Sequence, residues 1–228
     1  MPGFTNKTGG LILDNAFMTA RNHAQAEAVA HKTSQDFSVI FFSYERDCMP
    51  VVQALAEFQA QSGRLVRVSV AAGKSYAPFM QAWEKAGKPF ATETLSFLPQ
   101  EQWDALLCRS DFNFVRGEDS LSRACLAGVP FVWQAYIQDE DYHLVKLAAL
   151  NERLKTYLNK DAFCAYDEYT RAYNVGKDSA DGLLTLLQHI SALKDGFSRF
   201  SDDTVANGNL AAHLLEWIRG FSQGFPPL

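Results

Sequence analysis

Short apolar runs alternate with stretches of helical spacing through the middle of the chain. After a turn-rich start, the sequence up to about residue 34 is polar and alanine-rich, with helical character. Apolar runs then predict strands at residues 37–43, 65–70, 112–115 and 131–134, and residues 92–98 form a short extended segment between the second and third of these runs, the third strand in chain order. Helical patterns predict helices at 49–61, at 76–85 and at 120–127, and Pro99, at a favoured first helical position, predicts another from 99 onward. Beyond the last strand only helical patterns follow, at 141–157, 180–193 and 210–221.

This alternation predicts the fold class. Strands separated by helices form parallel sheets, and continuously apolar strands fit a sheet that helices cover on both faces. We therefore expect an α/β domain with a Rossmann-like parallel sheet and flanking helices at 35–205. A connecting segment at 1–34 precedes it, and a helix and tail at 206–228 follow it. Open sheets of this kind bind ligands at the carboxyl ends of their strands, which places the expected site at residues 43–45, 116–120 and 134–136.

Composition excludes several classes of function. The formal net charge of −5 over 228 residues argues against a basic face that follows a phosphate backbone, so no nucleic acid is expected as a partner. The apolar runs are far shorter than the roughly 20 residues of a transmembrane helix, and the N-terminus lacks a secretory signal. We expect a cytoplasmic protein without membrane contact. The four cysteines and five histidines show no metal-ligand spacing, which predicts reduced, mostly buried thiols and no metal.

The densest group of chemically useful side chains follows the fourth predicted strand, within residues 113–120. Gly117 allows a sharp turn, and Asp119 or Ser120 can cap the helix that follows. The free amides of a helix's first turn bind anions, and Arg116 adds a planar cation that can hold a diphosphate through two hydrogen bonds. The segment therefore predicts a diphosphate site.

A simpler interpretation of the same residues remains open. Glu118 and Asp119 suit the positive end of a helix dipole, and Arg116 could pair with one of them at the surface. An arginine, two acids and a serine at one turn exceed what capping requires, so we favour a ligand site. Because a carboxylate beside a phosphate is repelled, the two acids are assigned to the sugar and ribose side of the ligand.

Aromatic side chains occur where three of the strands end. Phe42 and Tyr44 fall on one side of the first strand's end and could receive a base or a sugar, with the Tyr44 hydroxyl suited to a phosphate oxygen. Phe97 and Tyr136 lie where the third and fifth strands end, and an aromatic face there can stack on a nucleobase. Core packing is an alternative for Phe42, Phe97 and Tyr136 that periodicity alone does not exclude.

These motifs resemble those of the elongation factor P arginine rhamnosyltransferases. The main segment is Asn113-Phe-Val-Arg-Gly-Glu-Asp-Ser120, continuing through Arg123-Ala124, Ala127-Gly128 and Pro130-Phe-Val-Trp133 to Gln138, Glu140-Asp141 and His143-Leu-Val-Lys-Leu147. Supporting motifs are Pro2-Gly-Phe-Thr5, Lys7-Thr-Gly-Gly-Leu11, Phe42-Ser-Tyr-Glu45 and Phe97-Leu-Pro99. The motifs follow the family's order, and the resemblance covers nearly the whole chain.

The resemblance implies the C-terminal half of a GT-B fold, in which two Rossmann-like domains face a cleft. It also implies an inverting transfer of rhamnose from dTDP-L-rhamnose to one arginine of elongation factor P, without a metal or other cofactor. Nine positions match donor contacts in the family: Phe42, Tyr44, Phe97, Gln100, Arg116, Glu118, Asp119, Ser120 and Tyr136. By resemblance, aromatics including Phe97 hold the thymine, and Tyr44, Arg116, Asp119 and Ser120 hold the diphosphate and its neighbours. Glu118 falls near the reacting sugar and is the expected catalytic residue of this chain.

The sequence also departs from the family's pattern. Gln134 stands where the family often has His, Ile137 where it often has Pro, and Cys125-Leu126 where it often has Gln-Trp, which affects the detail of the base pocket. The family's N-terminal domain, with the aspartates that activate the acceptor arginine, is expected to be missing. We therefore expect donor binding with little or no transfer. Two alternatives stay open: a non-catalytic module that recognises elongation factor P, and a GT-B domain that uses another sugar nucleotide.

Overall fold

The computed structural model describes residues 3–4, 8–30 and 35–223, and its centre is one parallel sheet. Five strands follow the order β3-β2-β1-β4-β5, and every neighbouring pair is parallel. The strands are β1 Asp36–Phe41, β2 Leu65–Ala71, β3 Ala91–Leu95, β4 Phe112–Arg116 and β5 Phe131–Gln134. The Rossmann-like sheet expected from the alternating pattern is confirmed.

Helices cover this sheet in two groups. In the described part of the chain they are α1 Asn15–Ala30, α2 Met49–Ser62, α3 Tyr76–Lys85, α4 Gln100–Arg109, α5 Gly117–Ala127, α6 Tyr142–Leu154, α7 Lys160–Asn174, α8 Ala180–Gln188, α9 Ile190–Ala206 and α10 Leu210–Gln223. Contacts link α2, α3, α7 and α8 to one another, and separately α1, α4, α5 and α9, while α6 touches α7 and α9. These groups correspond to the two faces that right-handed crossovers on either side of β1 produce.

Aromatic residues of the two central strands form the middle of the core. Phe37, Phe41, Phe112 and Phe114 are fully buried, and the rings of Phe41 and Phe114 lie 5.3 Å apart across the β1–β4 pair. Burying each such side chain contributes about 1.5–3 kcal/mol. Both faces of the sheet are covered at its centre, so β1 is buried without alternation from Val39 to Phe41 and β4 from Phe112 to Val115, the polar Asn113 included.

Three predicted boundaries near the strand ends were wrong. β1 ends at Phe41, not at residue 43, and β3 ends at Leu95, not at residue 98. β3 is an edge strand, and its pairing with β2 stops where β2 itself ends, so residues 96–98 have no strand to pair with. Helix α5 begins at Gly117, three residues before its predicted start, because the left-handed φ of +71° at Gly117 turns the chain directly out of β4.

The helical layer differs more from prediction. Helix α7 was not predicted, and the pattern at 180–193 divides at His189 into α8 and α9. α8 packs on α2 and α7 whereas α9 packs on α5, so the chain must turn between them. The predicted helix at 141–157 ends at Leu154 and is preceded by a 3-10 turn over Asp139–Asp141.

The segment before the sheet packs against the domain through α1. Phe17 is buried, and Arg21, also buried, donates to the Leu126 carbonyl at 2.8 Å and to the Ser201 hydroxyl at 3.0 Å. The boundary predicted at residue 34 lies outside the described residues, as do Pro2, Thr5 and Lys7 of the sequence motifs.

At the other end of the chain, α10 presents several large apolar side chains to solvent: Leu210, Leu214, Leu215, Trp217 and Ile218. In the parts of the chain that the structure describes, no helix is both long enough and apolar enough to cross a bilayer.

Candidate functional site

The carboxyl ends of β1 and β4 form the switch point of the sheet. The chain leaves β1 toward β2 on one side and later returns to pair β4 on the other. Loops diverge at such a point and leave a crevice, which is where ligands of open α/β sheets bind. Phe42 and Tyr44 follow β1, and Arg116 is the last residue of β4, so the predicted site residues meet at this crevice.

Arg116 is held against two aromatic rings. Its guanidinium carbon lies 4.5 Å from the ring centre of Phe42 and 4.6 Å from that of Tyr44. A guanidinium over a ring face is attracted by the ring's negative quadrupole, which fixes the orientation of the cation. No carboxylate in the described ranges lies within ion-pair distance of Arg116, so the alternative in which it pairs with Glu118 or Asp119 is wrong. Its charge is available to a ligand.

The start of α5 lies beside this cation. Arg116 occupies the position before the helix with extended backbone, and no side chain among residues 8–30 and 35–223 caps the first turn. The prediction that Asp119 or Ser120 caps the helix was wrong, because the earlier start places both inside the first turn. The first amides of α5 therefore remain free to bind an anion.

Gly117 and Trp133 fix the shape of this turn. The buried indole of Trp133 donates to the Gly117 carbonyl at 2.9 Å. A Cβ built at Gly117 would lie 3.3 Å from the Tyr44 hydroxyl. Any other residue would be strained by the positive φ and would crowd this hydroxyl, which therefore lies directly beside the free end of α5.

Polar groups beneath the site hold Tyr44 in place. The Tyr44 amide donates to Gln134 Oε1 at 2.8 Å, and the Ser43 hydroxyl donates to the same oxygen. Ser43 Oγ also lies 3.0 Å from the hydroxyl of the buried Tyr173. The ring of Tyr136 meets that of Tyr44 edge-on at 5.8 Å.

The hydroxyl of Tyr44 has a raised pKa and is protonated at neutral pH, as an ordinary phenol also is. Burial raises its pKa, the charge of Arg116 opposes this, and Glu118 and Tyr136 raise the pKa further, so that the net shift is upward. At neutral pH the hydroxyl is therefore a hydrogen-bond donor, as a phosphate oxygen requires.

The two acids and the serine of α5 occupy different environments. Glu118 is exposed, and its carboxylate pairs with Lys146 of α6 at 3.0 Å. Asp119 is also exposed, whereas Ser120 is half-buried in the first turn. Lys146 was not expected from the sequence, because the contact joins two helices that no local pattern relates.

Helix α4 contacts the site through Phe42. The Trp103 ring packs edge-on against Phe42 at 5.2 Å, and the exposed Gln100 donates its amide to Asp104 at 2.8 Å. Phe97 precedes this helix with 91% of its surface exposed. Core packing is thus wrong for Phe97 and for the 60%-exposed Tyr136. Phe97 makes no ring contact in the part of the chain that is described, so it belongs to the same edge but not to the cluster around Arg116.

Sequence reasoning missed Trp103 besides Lys146, and it gave Gln134 no role of its own. Trp103 and Gln134 contact the site, one through Phe42 and one through Tyr44. Trp103 could have been found from its place three residues after Gln100, which puts both on one helix face. Gln134 lies in the expected strand-end region 134–136, but the sequence does not indicate its hydrogen bond with the Tyr44 amide.

The rest of the described molecule offers no competing metal centre. No group of three or more histidine, cysteine or acidic side chains within the described ranges is arranged to hold a metal ion. A cavity of about 550 Å³ lined by Phe4, Tyr157 and Phe200, among others, contains none of the nine predicted donor contacts.

Comparison with protein families yields one match that covers most of the chain. The model described as "Elongation-Factor P (EF-P) rhamnosyltransferase EarP" matches residues 1–219. The chain is similar to protein-arginine rhamnosyltransferases of Pseudomonas putida, with 28% identity over 235 residues, and of Shewanella oneidensis, with 29% identity over 249 residues. Each comparison covers 96% of this chain, but the chain spans only 62% and 61% of those relatives.

Solved structures agree with the sequence comparisons. A structure described as "Structural basis for EarP-mediated arginine glycosylation of translation elongation factor EF-P" matches with a TM-score of 0.75 and 26% identity, over 96% of this chain and 75% of that one. A putative UDP-N-acetylglucosamine 2-epimerase from Listeria monocytogenes matches with a TM-score of 0.53 and 11% identity, over 87% of this chain and 48% of that one. The second likeness concerns the fold alone.

Proposed function

The chain belongs to the elongation factor P rhamnosyltransferase family, and from that premise we propose that its domain binds the sugar-nucleotide donor dTDP-L-rhamnose. One observation carries the proposal. At the switch point of the sheet, Arg116 lies over Phe42 and Tyr44 without a carboxylate partner in the described residues, and beside it α5 begins without a cap. A planar cation and free helix amides that converge in this way suit a diphosphate.

We assign the remaining site residues roles according to their chemistry and their place along the chain. The Tyr44 hydroxyl donates to a phosphate oxygen, and the Ser120 hydroxyl supplements the amides of the first turn. Asp119 is exposed and faces hydroxyl groups of the donor, because a carboxylate next to a phosphate is repelled. Phe97, Gln100 and Tyr136 lie on the outer side and receive the base, with Phe97 stacking on the thymine.

Glu118 lies nearest to the chemistry in this proposal. Departure of the diphosphate leaves positive charge on the sugar, and a carboxylate placed near that carbon stabilises it electrostatically. Lys146 pairs with the Glu118 carboxylate at 3.0 Å at the surface. The transfer inverts the sugar's configuration because the acceptor nitrogen attacks from the face opposite to the diphosphate.

Attack requires groups beyond this domain. The guanidine of the acceptor arginine in elongation factor P is protonated and delocalised at neutral pH, so positioned carboxylates must activate it. The relatives are longer than this chain by more than a third of their length. We assign the activating carboxylates to an N-terminal domain of the kind that the family has, residues 1–34 to the connection with it, and residues 206–228 to a helix and tail. This chain alone then binds the donor with little or no transfer.

A calorimetric titration tests the donor proposal directly. We expect dTDP and dTDP-L-rhamnose to bind with saturable heat and to raise the unfolding temperature, and UDP to bind more weakly. Absence of any saturable heat with both thymidine nucleotides refutes the proposal. Equal affinity for UDP would favour another nucleotide donor.

A complementation assay tests the division of labour between domains. The chain is mixed with an N-terminal half of a family member and with elongation factor P, and the rhamnosylated acceptor is detected by mass spectrometry. Product in the mixture but not with this chain alone supports the proposal, whereas full activity of this chain alone contradicts it.

A further inference from the structure

A buried carboxylate lies directly behind Gln100, one of the proposed donor contacts. Asp104 is buried, on the same helix and one turn further along. One of its oxygens accepts the side-chain amide of Gln100 at 2.8 Å, and the other accepts from Arg123 at 2.9 Å. Arg123 in turn binds Asp14 at 2.6 Å. Both acceptor atoms of Asp104 are therefore committed, and the carboxylate cannot turn away.

This arrangement decides which way the amide of Gln100 faces. An ionised carboxylate only accepts hydrogen bonds, so the nitrogen of Gln100 must be the atom directed at Asp104. Its carbonyl oxygen has no partner among the described residues, and the side chain is exposed. Without Asp104 the amide could rotate by half a turn and present a donor instead. With Asp104 in place, Gln100 presents an acceptor to solvent.

The position of Gln100 relates this acceptor to the donor site. Trp103 lies one helical turn from Gln100 on the same face of α4 and contacts Phe42, which lies under the guanidinium of Arg116. Gln100 thus lies on the helix face whose Trp103 contacts the ring beneath Arg116. A nucleoside diphosphate whose phosphates lie at Arg116 can place its base near Gln100.

We propose that Asp104 is a positioning residue for base recognition, holding Gln100 so that its carbonyl oxygen accepts from the N3–H of a thymine or uracil. This inference rests on the proposed donor function. Cytosine carries an unprotonated N3, so at that position two acceptors would face each other. A freely rotating glutamine would accommodate either base, and a fixed one discriminates between them.

The test compares dUDP with dCDP, which differ at the hydrogen-bonding edge but both lack the thymine methyl group. We expect the wild-type chain to bind dUDP at least about ten-fold more tightly than dCDP, the magnitude of one hydrogen bond gained or left unmade. In Asp104→Asn this ratio falls to about three or less, because the amide of Gln100 is free to turn. Gln100→Leu, at an exposed position, gives the same fall, and adding Asp104→Asn to it changes the ratio no further.

Each other outcome is decisive as well. If Asp104→Asn weakens dUDP and dCDP equally, its role is only structural and the inference is wrong. The same follows if wild type does not discriminate between the two, or if the two substitutions lower the ratio additively. Failure of wild type to bind dTDP overturns the donor proposal itself, and the inference with it.

Asp104→Asn could unfold because Arg123 loses one of its two carboxylate partners, so a second measurement uses the wild-type chain. In ¹⁵N-labelled protein the Gln100 side-chain amide, identified by its absence in Gln100→Leu, should show one proton that is shifted downfield and exchanges slowly with water. Two protons that exchange as fast as those of other exposed glutamines contradict the positioning role.

Discussion

Replacing Arg116 by alanine should weaken dTDP binding by about 10- to 150-fold. The guanidinium is half-buried over Phe42 and Tyr44 and has no competing carboxylate in the described residues, so its hydrogen bonds to a diphosphate are not offset by a broken ion pair. Hydrogen bonds to charged groups contribute about 1.5–3 kcal/mol, and each 1.4 kcal/mol is about ten-fold in Kd. The free end of α5 contributes about 2 kcal/mol at most, so the loss of Arg116 should exceed the loss of any other single group.

Calorimetry at low ionic strength measures this effect, because salt screens a half-exposed cation. Arg116→Lys should lie between wild type and alanine, since lysine keeps the charge but loses the planar fork. Arg67→Ala is the matched control, because this arginine is exposed on β2 and pairs only with Asp36 among the described residues. Its Kd should stay within two-fold of wild type. If Arg116→Ala changes the Kd no more than Arg67→Ala does, the diphosphate is not held by Arg116 and the site assignment is wrong.

Three further outcomes are expected. Gln134→Leu should weaken dTDP binding about three- to ten-fold in the same titration, because the Tyr44 amide loses its acceptor; an unchanged Kd would show that the loop needs no such support. Iodoacetamide at pH 8 should modify Cys164 alone in the folded chain, as mass spectrometry can show, since the other three cysteines are buried and burial raises the pKa of two of them to about 12. Burial tends to raise the pKa of Asp111. The charge of Lys194 and the hydrogen bonds that Asp111 accepts from Lys194 and from the Ser38 amide outweigh burial and lower this pKa below its usual value. The ionised Asp111 therefore stabilises the fold fully above about pH 4, the pKa of an aspartate in the unfolded chain. This stabilisation is lost as the pH falls through the lower pKa that Asp111 has in the folded chain. Asp111→Asn should reduce the unfolding free energy by about 1–3 kcal/mol in urea at pH 7, a difference that must shrink in acid.

The centre of the sheet could be predicted because β1 and β4 are covered on both faces. Runs such as those around Phe41 and Phe114 have no helical period and are bounded by turn residues, which leaves little choice of secondary structure. Helix α7 escaped prediction because tyrosine, alanine and threonine carry its buried face. The buried face of α7 carries three tyrosines at helical spacing, Tyr166, Tyr169 and Tyr173. Because tyrosine has a polar hydroxyl group, the segment shows no clear separation of apolar and polar positions. The turn at His189 depends on which helices α8 and α9 pack against, which no local pattern contains.

Site residues that lie in one turn of the chain could be predicted from the sequence. Contacts between elements that are far apart in the sequence could not. Arg116 and Gly117 are adjacent to each other, and their relation to a strand end follows from the alternation of elements. The meeting of Arg116 with Phe42 and Tyr44 required only the rule that strand ends gather at a switch point. By contrast, Lys146 meets Glu118 because of the way α6 packs. The sequence predicts where α6 lies along the chain but not which of its faces turns toward α5.

The contacts beneath the site explain why it can exist before a ligand arrives. Tyr44 is held from below by Gln134, and the turn at Gly117 by the indole of Trp133, both from the end of β5. The end of β5 is itself held by Asn174 at the end of α7, whose amide donates to the Trp133 carbonyl at 2.8 Å and whose oxygen accepts the Ala135 amide at 2.9 Å. A binding surface supported by buried, satisfied hydrogen bonds loses little conformational freedom when the ligand binds. Helix α7, which the sequence pattern did not predict, therefore supports the predicted site residues Tyr44 and Gly117 through Asn174 and the end of β5.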